Sequence, residues 1–209
     1  MKKTITLLAA TMSLAASANQ SLRDDAILVE DIEYKLAAGF KADDVVYRLP
    51  KADRLENTGV RGGITTNYKG YAGVEARGRF STFAYSSSGN GNIWRTGGDS
   101  FADIMLSMPN GNEFDFVRVW GSDTNVAEDL HFFTFERCLP AFGGGPIVQT
   151  ILDDVESTGS GGDFSLLMTI PTDTFVDNQT CTYSTRVRFD TSDSSMRVFK
   201  VRAQSEVQL

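Results

Sequence analysis

The sequence predicts a mainly β protein, an antiparallel sandwich of jelly-roll or immunoglobulin-like type, with a short N-terminal element. Three observations carry that expectation. Seven short runs between residues 101 and 202 alternate apolar and polar side chains, the period of a half-buried strand. Turn residues rich in Gly, Asp, Asn and Ser separate the runs, as at Pro109-Asn110-Gly111 and Thr191 to Ser195. No connection is long or periodic enough to be a crossover helix, which excludes a parallel α/β sheet.

The chain begins with an address. Met1-Lys2-Lys3 is a short positive region, Thr4 to Leu14 an apolar run, and Ala16-Ser17-Ala18 a small-x-small cleavage site. Together they read as a bacterial Sec-type signal peptide cut after Ala18. The apolar run is too short to span about 30 Å of hydrocarbon, and no later run approaches a membrane span. The mature protein is expected in the periplasm, at the cell surface or outside the cell. Cleavage leaves 191 residues and moves the net charge from −7 to −9, because Lys2 and Lys3 are lost.

Residues 19–56 form the N-terminal element. Ser21-x-x-Asp24 resembles a capping box, and Val29, Ile32, Leu36 and Phe40 fall on one helical face. Gly39 is placed to end a helix over about 22–38. Ile27, Val29, Ile32 and Tyr34 equally suit a strand, so the element reads as helix or strand. Val45 to Leu49 is extended and is stopped by Pro50.

Residues 57–209 form the sandwich domain, whose first part is rich in glycine. Residues 57–98 hold 10 of the 19 glycines. Ser86 to Asn92 reads as a loop, and Glu75 to Tyr85 as one strand. The regular runs follow: Ala102 to Met108, Phe114 to Trp120, Leu130 to Cys138, Ile147 to Leu152, Phe164 to Ile170, Cys181 to Phe189 and Met196 to Arg202. Gly121-Ser122-Asp123, Gly143 to Pro146 and Gly159 to Gly162 read as connections. In the sixth run Cys181, Tyr183, Thr185, Val187 and Phe189 share one face, and Thr182, Ser184, Arg186, Arg188 and Asp190 the other.

The pattern in residues 101–203 resembles a loose group of secreted bacterial β-sandwich domains of uncharacterised function. The likeness rests on the strand ending in Met108-Pro109-Asn110-Gly111 and the aromatic-rich strand and turn from Phe116 to Asn125. It rests also on Phe132 to Gly145, on Thr174 to Asn178 leading into the strand Cys181 to Phe189, and on the last strand from Met196 to Ala203. It covers about half the chain and implies fold and export. The group lends no catalytic residues.

The chemistry is narrowed by scarcity. Cys138 and Cys181 are the only cysteines, and in an exported chain they are expected to form one disulfide. His131 is the only histidine, so every histidine-based nucleophile system would have to use it. No Gly-x-Ser-x-Gly elbow or phosphate-binding loop is present. An acidic chain with 27 carboxylates against 20 basic residues lacks the footprint of a nucleic-acid binder.

Calcium is the one cofactor weighed, with Asp123, Asn125, Glu128 and Asp129 offering oxygen ligands in one loop. The expected role is therefore non-enzymatic: surface interaction, envelope or matrix structure, or binding of an extracellular protein or glycan. The alternative is a carbohydrate-active protein, either a binding module or a histidine-independent hydrolase. Trp94, Trp120 and Tyr85, with Tyr68 and Tyr71, are the candidates for stacking on a sugar.

Overall fold

A computed structural model describes residues 25–51, 65–139, 147–158 and 161–207. The signal peptide, the Ser21 capping box, the glycines of 59–63 and the patch at Gly143 lie outside these residues. The order of elements is β1 (Ile27–Leu28), α1 (Ile32–Ala37), β2 (Val46–Arg48), β3 (Thr65–Ala72), a 3-10 turn (Gly73–Glu75), β4 (Arg77–Gly78), β5 (Ala84–Ser87) and β6 (Ile93–Gly97). There follow β7 (Phe101–Leu106), β8 (Glu113–Asp123), β9 (Leu130–Cys138), β10 (Val148–Glu156), β11 (Gly162–Thr169), β12 (Cys181–Phe189) and β13 (Met196–Val207).

The strands form two sheets packed as a sandwich, as the alternation predicts. A seven-stranded sheet runs β1-β2-β10-β9-β12-β7-β4. A six-stranded sheet runs β11-β8-β13-β6-β5, with β3 also pairing β13. Among the described strands only β2 with β10 is parallel. Between the sheets lie Ile104 and Leu106 of β7, Phe132 of β9, Tyr183 and Val187 of β12, and Val117, Val119, Val198 and Val201 of β8 and β13.

The N-terminal element contains both strand and helix. Asp31 caps α1 by accepting from the Tyr34 amide at 3.1 Å, so the helix starts well after residue 22 and has six residues. Gly39, at φ 79°, ends it in the left-handed region that favours glycine. The expected helical face does not hold. Val29 and Phe40 are buried, but Ile32 and Leu36 are 53% and 52% exposed. A helix this short turns Ala37 and Ala38 to the sheet instead.

The N-terminal segment covers the outer face of the seven-stranded sheet. Val29, Ala38, Phe40 and Val46 pack there on Phe133, Phe135 and Ile151 as a second core. That cover buries what alternation marks as the polar face of β12. Arg186 is 1% exposed. Its Nε and Nη2 donate to the two Asp103 oxygens at 2.7 and 2.9 Å. Its Nη1 donates to the Ala38 carbonyl at 3.0 Å.

Two further expectations are corrected. Glu75 to Tyr85 is not one strand but the 3-10 turn, β4 and the start of β5. A Cβ on Gly78 would stand 2.3 Å from the Phe83 Cβ, so the chain folds back on itself here instead of extending. Gly121-Ser122-Asp123 is not a connection but the end of β8. A Cβ on Gly121 would lie 2.4 Å from the Arg197 carbonyl and 2.5 Å from the Phe164 ring. Close approach, not turning, requires that glycine.

The expected disulfide is present between Cys138 and Cys181. The two residues face each other across β9 and β12, with their Cα atoms 4.0 Å apart. It therefore clamps neighbouring strands of one sheet.

Candidate functional site

The solvent face of the six-stranded sheet brings Trp94 and Trp120 together with basic side chains. The register of β8 with β13 places Trp120 opposite Lys200, Arg118 opposite Arg202, and Ser122 opposite Arg197. Opposed residues of antiparallel strands share a face. On the far side of β13, β3 places Ala72 opposite Lys200, Gly70 opposite Arg202 and Tyr68 opposite Gln204. The Lys200 Nζ lies 5.5 Å from the centre of the Trp120 ring. The Arg202 guanidinium stands 5.3 Å from Trp120 and 4.9 Å from Tyr68. Arg197 stands 5.3 Å from Trp94. Each contact lies within cation–π range.

A bulge creates this arrangement. Pairing with β8 shifts between Val198 and Lys200. Before the shift Met196 and Val198 point inward; after it Val201 and Ala203 do. Strict alternation from Val198 would turn Lys200 and Arg202 into the core, and the bulge resets the phase. With it they stand outside, beside the small Gly70 and Ala72 of β3. The Lys200 side chain needs that room, since a Cβ on Gly70 would lie 3.0 Å from its Cε.

Among the described residues Arg118, Arg197, Lys200 and Arg202 make no ion pair. Arg118 donates to the Ser165 hydroxyl at 3.3 Å and Arg197 to the Ser194 carbonyl at 2.8 Å. The Arg202 Nε and the Gln204 Oε1 are buried without a hydrogen-bond partner. A planar donor and an acceptor thus stand on one face between aromatic rings. Sequence reasoning found the tryptophans by residue type and missed the cations. The signal was available: the apolar phase steps by two from Met196 to Val198, by three to Val201, then by two to Ala203.

Tyr85 and Tyr71 lie elsewhere. Tyr85 is opposite Arg95, while Trp94 is opposite Ser86, so Tyr85 faces away from the tryptophan. Its ring stacks on Phe83 at 5.7 Å. Tyr71 is buried, and its hydroxyl donates to the Ser107 carbonyl at 3.2 Å. Burial raises the pKa of that phenol, and the Ser107 amide, which donates to the phenol oxygen, only partly offsets it. Both tyrosines line a cleft of about 460 Å³ with Glu75, Arg77, Asp103 and Met105. Its carboxylates are engaged: Asp103 by Arg186, and Glu75 by the Ala72 amide at 2.8 Å.

His131 is held by carboxylates on both sides. Its Nδ1 lies 3.2 Å from Glu156 and its Nε2 3.4 Å from Asp190. Burial works to raise the Asp190 pKa, but His131 and Arg188 outweigh it and hold the carboxyl below its ordinary value. Both ring nitrogens are occupied, so neither faces a serine hydroxyl as a base.

In the loop weighed for calcium, Asp123 and Asn125 spend side-chain oxygens on hydrogen bonds within the protein. Asp123 accepts from the Ser157 hydroxyl and from the Asn125 amide at 2.9 Å. The Asn125 side chain accepts from the Ala127 amide at 2.8 Å and the Glu128 amide at 3.2 Å, a local turn cap. Glu128 is exposed. The grouping of potential metal ligands found among the described residues is Glu136, Cys138 and Cys181, where the disulfide removes both thiolates.

Protein-family models and curated proteins give no match to this sequence. Two solved structures share a distant likeness. One is a GH26-CBM35 β-(1,4)-mannanase of Podospora anserina, with 9% identity and a TM-score of 0.41 over 68% of this chain and 28% of that one. The other is an exo-β-1,3-galactanase of Phanerochaete chrysosporium with galactose, with 14% identity and a TM-score of 0.38 over 66% of this chain and 29% of that one. The chain thus matches less than a third of the length of either. No helix among the described residues is long and apolar enough to cross a membrane.

Proposed function

We propose that the protein is an exported, non-catalytic glycan-binding module. The observation that carries the reading is the outer face of the six-stranded sheet, where Tyr68, Trp120 and Trp94 stand among polar side chains instead of packing into the core. Aromatic rings on a sheet stack on the apolar faces of sugar rings, while neighbouring polar groups meet the hydroxyls. Tyr68 is 58% exposed, and the small Ser165 of β11 stands beside Trp120. The Cys138–Cys181 disulfide suits an oxidising compartment outside the cytoplasm.

The test is affinity electrophoresis of residues 19–209 through gels containing soluble polysaccharides, both neutral and acidic. At least one should retard the protein, and Trp120→Ala should remove the retardation. Loss of a central stacking ring weakens binding by about 2 kcal/mol or more, roughly thirtyfold in Kd. Free migration in every gel would overturn the reading. So would binding that Trp120→Ala leaves intact.

A further inference from the structure

The charge on this face is at odds with the charge of the chain. The protein carries 27 acidic and 20 basic residues. Among the described lysines and arginines, Arg186, Arg188 and Lys51 sit in ion pairs with described carboxylates and the rest do not. The outer face is set apart by crowding: four of the unpaired cations share it, and two of them oppose each other directly, Arg118 against Arg202. Like charges directly opposed destabilise a sheet. A guanidinium nitrogen left buried without an acceptor adds to that penalty. The fold tolerates both costs at one place, where the bulge in β13 sets the cations outward.

We propose that the ligand is an acidic polysaccharide, and that the group recognised is the carboxylate of a uronic acid. This deepens the glycan-binding reading and rests on it. Arg118 and Arg202 offer two planar forks on neighbouring strands, about 5 Å apart at the backbone. A planar carboxylate matches such a fork with two parallel hydrogen bonds. Trp120 and Tyr68 flank Arg202, so the ring bearing that carboxylate can lie on an aromatic face while its acid group meets the guanidinium. Lys200 and Arg197 extend the positive charge along β13 toward Trp94. The run is short. Asp163 stands in the row of Ser122 and Arg197, and Glu206 lies opposite Thr66 beyond Tyr68. Acidic groups thus border a patch about three residue pairs long. That suits one or two sugar units better than a continuous phosphate backbone, which an acidic protein also repels.

The experiment measures Kd of residues 19–209 for polygalacturonate, for its fully methyl-esterified form, for polymannuronate, for a sulfated neutral galactan and for single-stranded DNA. Methyl esterification keeps the sugar backbone and removes the charge. At least one uronate polymer should bind tenfold or more tightly than the methyl ester, and its affinity should fall as salt rises. In Arg118→Gln/Arg202→Gln that preference should collapse toward one. Lys200→Gln alters a single exposed side chain and serves if the double variant fails to fold; it should reduce the preference severalfold.

Equal affinity for acid and methyl ester, both lost in Trp120→Ala, would overturn the uronate assignment and leave the glycan-binding module standing. Binding of no polysaccharide would overturn both. Tighter binding of the sulfated galactan or of DNA than of either uronate would also overturn the assignment, because it would mark recognition of charge alone.

Discussion

Arg186 occupies a position that alternation assigns to the polar face of β12, yet it is the largest fully buried side chain among the described residues. Its fork is closed by Asp103, and its plane lies 4.7 Å from the Phe135 ring centre and 5.5 Å from that of Phe40. It thus ties β7, β9, β12 and the end of α1 into one contact. Removing one member of a buried pair strands the other charge and costs about 3–5 kcal/mol. Arg186→Ala should therefore lower the unfolding free energy by about that amount in urea titration. Lysine should rescue it only in part, because an ammonium lacks the bidentate fork and the stacking plane. A loss under about 1 kcal/mol for the alanine variant would refute this account, since that is the range of surface pairs. The residue type and face of Arg186 were legible in the sequence. Its burial was not, because the cover comes from Ala38 and Phe40, nearly 150 positions away.

At the scale of elements, legibility follows burial. β9 and β12 match their sequence runs residue for residue, because both lie mid-sheet between paired neighbours and each turns one face into the core between the sheets. β3 has the burial of an edge strand, with most of Thr65 to Gly70 exposed or half-buried. Its polar and glycine-rich residues carry no alternating signal, and β13 alone draws it into the sheet. The same blindness hid half of the candidate site. Trp94 and Trp120 were visible as residues, but their partners depend on a long-range register and on the bulge in β13.

The clamp between β9 and β12 gives this scale its prediction. Closing a loop with sequence separation 43 stabilises by about 4 kcal/mol in the chain-entropy model. Reductant, or Cys138→Ser/Cys181→Ser, should lower Tm markedly while leaving the sheets formed, as read by far-UV circular dichroism. Under non-reducing conditions the intact mass should be two hydrogens below that of the dithiol. An unchanged melt on reduction would overturn this account of the bond.

Across the whole molecule the two cores are unequal. The core between the sheets joins strands from both layers, and β13 with β8 alone spans ten register pairs. The second core holds the N-terminal segment on through three register pairs of β2 with β10, seven buried residues and a few polar ties. One tie is the Tyr34 hydroxyl donating to Asp154 at 2.9 Å. Burial, and then the charge and hydrogen bond of Asp154, raise that phenol above its ordinary pKa, so it remains a donor through neutral pH. Segments with few buried contacts open at less than the global free energy. The amides of Lys35, Ala38 and Phe40, bonded to Asp31, Tyr34 and Lys35 carbonyls, should therefore exchange with deuterium sooner than those of Val119 and Val201. Arg186→Ala should hasten exchange at the first group more than at the second, because it cuts the tie to the Ala38 carbonyl. Equal protection of both groups would mean that segment and sandwich unfold as one unit. In that event the cost of Arg186→Ala would be a property of the whole fold. The aromatic and basic face on the opposite sheet would then feel the loss through global stability, whereas local opening would leave Trp120 and its flanking cations in register.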